Sequence, residues 1–226
     1  MNPLRAAFER LEEIRAGSIA RKVRRFIAPG WSVLDLGGGN LVVADAVARA
    51  TGARLFALDA IAFRRRPIPL ALYGGGRAPF RDGAFDAVLV AFVFHHCADG
   101  GEAVLREAAR LARSRVIVLE DAYDTAFERW SIRLLDPILN RLEDSRIPTP
   151  LRFRPTAAWI ELFGRLGLRT AAAKRIRTTP VLRTAQVMFI LEKAAGVHVR
   201  NCAPGRSGEA EARREPGADF DSRFRA

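Results

Sequence analysis

The stretch from Val33 to Leu41, VLDLGGGNL, constrains the fold of this chain more than any other. Apolar residues around one acid, Asp35, run into three consecutive glycines, Gly37, Gly38 and Gly39, the pattern of a buried strand that breaks into a loop and then a helix. Glycine lets the main chain turn through conformations closed to other residues. It also lets a ligand lie directly on backbone N–H groups. The expectation is a strand, loop and helix unit built to hold something.

The rest of the chain repeats that rhythm. Upstream, Leu4, Phe8, Leu11, Ile19, Val23, Phe26 and Ile27 recur at helical spacing, and Gly17 predicts a break between two amphipathic helices. Downstream come a helix from Leu41 to near Gly52, a second strand at Arg54 to Leu58 that hands over to Asp59, and a short third strand at Leu70 to Tyr73. Phe85 to Phe94 is a nearly continuous apolar fourth strand of the kind buried on both faces in a parallel sheet. Asp99 and Glu102 read as the capping pair of a helix to Arg113, and Arg115 to Leu119 as a fifth strand. Thr125 and Glu128 form a capping box, Asp136 and Pro137 read as the start of a second short helix, and Thr156 as the cap of another. Leu168 to Arg177 and Ala185 to Leu191 close the chain as an antiparallel hairpin.

The expected fold class is therefore α/β: a Rossmann-like three-layer sandwich with a mostly parallel seven-stranded sheet, an antiparallel C-terminal strand and a helical insertion after strand 5, at about residues 122–154. One domain spans residues 1–200, and the Gly-, Pro- and charge-rich residues 201–226 read as a disordered tail.

Composition narrows the function classes. Hydrophobic residues make up 49% and charged residues 27%, as in ordinary soluble domains. No apolar run is long enough for a membrane span, and the mixed charge of the first residues is unlike a secretory leader, so a cytoplasmic protein is expected. Cys97 and Cys202 are too few for a disulfide framework or a zinc knuckle. The net charge of +12 invites a nucleic-acid reading, but only Lys22, Lys174 and Lys193 are lysines and the arginines are spread along the chain. No aromatic residues interleave with the basic clusters at 21–25 and 64–66, which disfavours nucleic acid and leaves a peripheral membrane contact open.

The glycine loop followed by Asp59 after the second strand suits two ligand classes, dinucleotides and S-adenosylmethionine. Asp35 inside the first strand, APFRDGAFDAVLV at Ala78 to Val90, the FVFHHC that follows, and VIVLEDAY at the fifth strand resemble the class I S-adenosylmethionine-dependent methyltransferases, especially the small-molecule group typified by quinone-biosynthesis enzymes. The resemblance covers roughly residues 20–193 and implies S-adenosylmethionine as cofactor. Asp35 would help hold the methionine ammonium, Gly37, Gly38 and Gly39 would admit the cofactor to the backbone, and Asp59 would accept from the ribose hydroxyls. Phe80 and Arg81 would lie near the adenine, and Phe94 and His95 beside the methyl-transfer site. Leu41 stands where relatives commonly carry a third glycine, and Gly74 to Gly76 where they tend to carry an adenine-reading acid.

Methyl transfer from a sulfonium needs mainly alignment and exclusion of water, with a base only where the acceptor must lose a proton. His95 and His96 are the candidate bases. As neighbours at a strand end they should face opposite ways, so only one should see the substrate. Glu120 and Asp121 also end a strand, but no further oxygen ligands accompany them in sequence and no metal is expected. The function read from the sequence is methyl transfer to an oxygen, carbon or nitrogen of a small, hydrophobic metabolite. An RNA or protein methyltransferase, or a catalytically silent binding protein of the same fold, are the alternatives.

Overall fold

The computed structural model describes residues 3–61, 65–143, 150, 152–179 and 185–193, so the expected tail lies outside the described residues. Five strands, β1 (Ser32–Leu36), β2 (Arg54–Asp59), β3 (Leu70–Leu72), β4 (Phe85–Ala91) and β5 (Ala112–Tyr123), run parallel in the spatial order β3-β2-β1-β4-β5. The two-residue β6 (Arg154–Pro155) pairs with the end of β5. β7 (Leu168–Ile176) and β8 (Gln186–Lys193) complete the sheet, with β8 antiparallel to both β5 and β7. The expected seven strands are thus present, β6 being an eighth. Chain order reverses between β1 and β4, and ligands of open α/β sheets bind in the crevice at that point, outside the carboxyl ends of the strands.

Alternation along each strand splits the core into two layers. Leu34, Leu36, Val88, Val90, Val116 and Val118 face the layer that holds Leu105, Leu111, Trp159 and Phe163, from α3 (Glu102–Leu111) and α5 (Thr156–Arg165). Val33, Ala57, Leu89 and Ile117 face Ile19, Val23, Val42 and Val47, from α1 (Pro3–Val23) and α2 (Val42–Thr51). This is the three-layer sandwich expected.

Several local expectations change. The upstream segment is one helix, not two: Ala16, Ile19 and Val23 are fully buried around Gly17, and that packing outweighs the roughly 1 kcal/mol a glycine costs a helix. β4 ends at Ala91, because Phe92 takes a left-handed conformation (φ 60°), and residues 94–96 form a 3-10 turn. β5 runs on to Tyr123, drawn out by pairing with β8 and then β6. The insertion is one helix, α4 (Ala126–Glu143), with Pro137 inside it. Asp136 does not cap a second helix, since its carboxylate lies 3.3 Å from His95 Nε2. The Thr125 and Glu128 box does form, with the Glu128 N–H donating to Thr125 Oγ1 and the Thr125 N–H to Glu128 Oε2. Thr156 spends its hydroxyl and N–H on Asp124 instead of capping α5, where Pro155 holds the cap position.

One face of α4 is turned to solvent. Phe127, Trp130, Leu134 and Ile138 are 48–73% exposed, at spacings that put them on one stripe, and the exposed Arg129 and Arg133 flank it.

The Ala78 to Asp82 segment is held by a buried ion pair on α3. Arg110 donates to Glu107, to the Phe80 and Ala78 carbonyls and to Asp82 Oδ1, all within 2.6–3.0 Å, and Glu107 Oε1 accepts the Ala78 N–H at 2.7 Å. Removing one partner of a buried pair strands the other charge, so Arg110→Met should cost about 3–5 kcal/mol. In urea denaturation, Arg110→Met with Glu107→Leu should recover part of that loss; a single variant as stable as the parent would show the pair to be idle.

Candidate functional site

A cavity of about 420 Å³ opens over the carboxyl ends of β1, β2, β4 and β5. Its first wall is the glycine loop. Gly37 (φ 84°) is required on two counts, since a Cβ there would lie 2.4 Å from Val93 Cγ2. The Gly37 N–H donates to the Leu58 carbonyl at 2.7 Å, and the Gly39 N–H to Asp59 Oδ2 at 2.8 Å, which folds the loop down onto the end of β2. Asp59 Oδ1 accepts the Ile61 N–H at 2.8 Å. Both carboxylate oxygens are therefore fixed in direction and retain lone pairs for a ligand. Leu41, at the position of the expected third glycine, still makes the left-handed turn (φ 67°) with its side chain fully buried. The loop keeps its turn at a backbone cost of about 1–2 kcal/mol, offset by burial of the leucine.

Asp35 lies under this loop, 1% exposed, with Oδ1 lacking any hydrogen-bond partner. Burial raises its carboxyl to about 7, and Asp59 nearby adds to the shift. A buried, unpartnered acceptor at the cavity wall is suited to a cationic or N–H-bearing ligand group.

The other end of the cavity is a polar floor at the ends of β4 and β5. His95 is 1% exposed. Its Nδ1 is bonded to Glu120 Oε1, and Glu120 Oε2 accepts the Phe94 N–H at 2.9 Å. Nε2 makes no in-line hydrogen bond and has Asp136 Oδ1 at 3.3 Å. Burial alone would depress this imidazole, but Glu120 and Asp136 outweigh it and hold it protonated well above the ordinary histidine value. The two carboxylates on either side of the ring thus favour its protonated form. Held in this way, His95 is less suited than His96 to the general-base role expected of either. His96 does not face away: the 3-10 turn brings its ring, tilted by 49°, to 4.0 Å from that of His95, and both line the cavity. Asp121, also buried, is raised to about 6, chiefly by burial, with Glu120 and Asp136 adding to the shift against His95. Cys97 lines the cavity too, but burial and the neighbouring Asp99 and Glu120 push its thiol to about 11, which disfavours the thiolate.

The sequence reading is only partly assembled here. Asp35, Gly37, Gly38, Gly39, Asp59, His95 and His96 share the cavity, and Gly74 and Gly75 line it. Phe94 does not border it: its ring is buried in the core 5.5 Å from Trp159. Phe80 packs edge-on to Phe85 at 5.2 Å and Arg81 is exposed, and neither lines the cavity as the segment that carries them is tied to Arg110. Missed by the sequence reading were Phe8, Leu11, Glu12 and Arg15 of α1, Phe92, and Ile132 and Asp136 of α4. Glu12 takes hydrogen bonds from the Asn40 amide and from Arg65, latching α1 over the glycine loop, and Arg15 stacks 4.2 Å above the Phe92 ring. The signal for α1 is the helical spacing of Phe8, Leu11 and Arg15, and for α4 its insertion after strand 5, which puts the Phe127 to Leu142 stripe over the site's edge as a lid or acceptor pocket.

Residues 34–119 match the family model described as a methyltransferase domain. Among curated proteins, the demethylmenaquinone methyltransferase of Mycobacterium tuberculosis is 33% identical over 122 residues, 48% of this chain and 51% of that protein. The chain thus spans about half the length of the curated relatives it matches. A chain from the complex of the Haloferax volcanii Trm112 methyltransferase activator with a methyltransferase superposes with a TM-score of 0.65 at 17% identity, covering 84% of this chain and 94% of its own. The [4+2]-cyclase SpnF superposes at 0.59 with 14% identity, each chain 81% covered, so the fold is used for more than one reaction.

A testable consequence concerns Asp35 in the ligand-free protein. The unfolded carboxyl ionises near pH 4 while the native one holds its proton to about 7, so native stability falls as pH rises through that window. Asp35→Asn should melt close to the parent near about pH 4 and at a higher temperature near about pH 8. Parallel melting curves for the two proteins at both pH values would contradict the assignment.

Proposed function

We propose that this chain, which carries a methyltransferase domain on the class I fold, transfers the methyl group of S-adenosylmethionine to a small, hydrophobic metabolite. The observation that carries this reading is the continuity of one cavity from the glycine loop, Asp35 and Asp59 to the histidine and carboxylate floor, walled by Phe8, Leu11, Val93, Val104 and Ile132. The cofactor's methionine end fits beside Asp35, whose unpartnered oxygen would take the ammonium. Its ribose fits at Asp59. The adenine would pass over Ile61, Gly74 and Gly75, with no acid to read its amino group. The acceptor then occupies the apolar end below α4.

Gly37, Gly39 and Asp59 fix the cofactor, and the apolar wall excludes water while acceptor, methyl carbon and sulfur line up. An acceptor hydroxyl must shed its proton as the new O–C bond forms, the C–S bond breaks and a neutral thioether leaves. Glu120 and Asp136 favour a protonated His95, which leaves His96 and Asp121 as the groups at this end better placed to take that proton. With its carboxyl raised to about 6, Asp121 is well matched to the task near neutral pH.

Calorimetry with S-adenosylhomocysteine tests the reading. Binding at one site per chain is expected, and Asp59→Ala should weaken it at least about tenfold, or about 1.4 kcal/mol. No binding by the parent would end the proposal.

The outer stripe of α4 suits delivery of an apolar acceptor. Phe127, Trp130, Leu134 and Ile138, flanked by Arg129 and Arg133, match the aromatic, aliphatic and cationic pattern of a helix lying on an anionic bilayer, while Ile132 on the inner side lines the cavity. Phosphatidylglycerol vesicles should co-sediment the parent protein and release it with a Trp130→Ser, Leu134→Ser variant; equal retention of both proteins would remove this face from the account.

A further inference from the structure

The sequence offers no oxygen cluster around Glu120 and Asp121, but the fold builds one. The 3-10 turn after β4 delivers His95 and His96, β5 delivers Glu120 and Asp121, and α4 brings Asp136 down from above. A ring nitrogen of each histidine and a carboxylate oxygen of Asp136 lie within 4.8 Å of one another, so small side-chain adjustments would set all three around one metal ion.

We propose that His95, His96 and Asp136 form a site for a divalent first-row transition metal at the acceptor end of the cavity. Three further observations point to the same place. His95 Nε2 is buried, lines the cavity and has no in-line hydrogen bond, so a nitrogen lone pair or its proton is aimed at a point that Asp136 already approaches. Glu120 holds His95 by Nδ1 and is itself held by the Phe94 and Asp121 N–H groups at 2.9 Å. This is the arrangement in which a carboxylate fixes the tautomer and direction of a metal-binding imidazole, leaving the other nitrogen for the ion. The floor also gathers three carboxylates around His95, Glu120 and Asp121 buried and Asp136 half-buried. A proton on Nε2 and a metal ion compete for the same position between the ring and Asp136. Either one satisfies it electrostatically.

Two imidazoles and one carboxylate are a borderline donor set that favours Zn²⁺, Co²⁺, Fe²⁺ or Mn²⁺ over the oxygen-seeking Ca²⁺ and Mg²⁺. Three protein ligands leave coordination positions open towards the cavity, as in sites that bind a reactant. On the proposed transfer, an acceptor hydroxyl bound there would have its acidity raised by the ion and would pass its proton to Asp121. Only that last role rests on the transfer reading; the metal site itself does not.

The test uses the untagged full chain and Co²⁺, whose visible absorption reports ligand number and geometry. One equivalent should bind with a spectrum of imidazole and carboxylate coordination. Asp136→Asn and His96→Ala should each lower affinity at least about tenfold, and Glu120→Gln by about 10–100-fold through the orientation of His95. Circular dichroism melts identify any variant that fails to fold, and the near-isosteric Asp136→Asn provides a readout if His96→Ala does. S-adenosylhomocysteine binding is measured in the same samples. Absence of stoichiometric Co²⁺ binding, or binding unchanged in both Asp136→Asn and His96→Ala, would overturn the metal site; loss of S-adenosylhomocysteine binding alone would bear on the cofactor and leave the metal site standing.

Discussion

The carboxyl end of β2 is the anchor on which the site depends. The Leu58 carbonyl receives the Gly37 N–H and the Asp59 carboxylate receives the Gly39 N–H, so a loop that would otherwise leave its amides unpaired is pulled flat across two strand ends. That descent brings Gly37 against Val93 with no room for a Cβ, which joins the loop after β1 to the turn after β4. Three strand ends become one surface. The reversal of strand order between β1 and β4 places the crevice there, and α1 roofs it through Glu12, Asn40 and Arg65.

Backbone strain is concentrated on the same rim. Leu41 and Phe92 are the non-glycine residues with left-handed backbone among those described, and they sit at the ends of the two segments that meet in the crevice. Each costs an amount that a free chain would avoid, and each is held by its surroundings: Leu41 by full burial against α1 and β2, Phe92 by an N–H bond to the Leu119 carbonyl and by Arg15 over its ring. The turn at Phe92 matters most for the chemistry. It stops β4 early and swings His95 inward to meet Glu120.

Why some of this could be read in the sequence and some could not follows from the physics involved. The glycine loop, Asp35 and Asp59 were legible because they are local: a strand, a turn and the next strand's end, at fixed spacing. The sheet and its layers were legible because apolar periodicity is also local. By contrast, the partners of His95 come from β5 and α4, and no periodicity announces an ion cluster assembled from three elements. Phe92 carries no signature, since nothing in its type favours a left-handed backbone. Phe80 and Arg81 were assigned to the cavity by the motif that carries them, yet the buried Arg110 and Glu107 pair binds that segment to α3 and turns those side chains elsewhere. Local propensity makes Gly17 and Pro137 breaks, and tertiary contacts override it in both helices.

The electrostatic contrast between surface and cavity bears on what the site can take. A chain of formal charge +12 surrounds a cavity lined by carboxylates, Asp35 at one end and Asp121 and Asp136 at the other, with Glu120 buried behind His95. That interior repels phosphate, so the basic surface does not extend nucleic-acid recognition into the site. It attracts cations, and the proposed cofactor is one. Yet the sulfonium charge disappears as the methyl group leaves, and carboxylates pressed against it would stabilise the reactant more than the transition state. The division of the acids answers this difficulty. Asp35 stands under the glycine loop, where the proposed cofactor's ammonium would keep its charge throughout, while Glu120 and Asp136 are engaged with His95, so the acid left with unmet demand at the proposed acceptor end is Asp121.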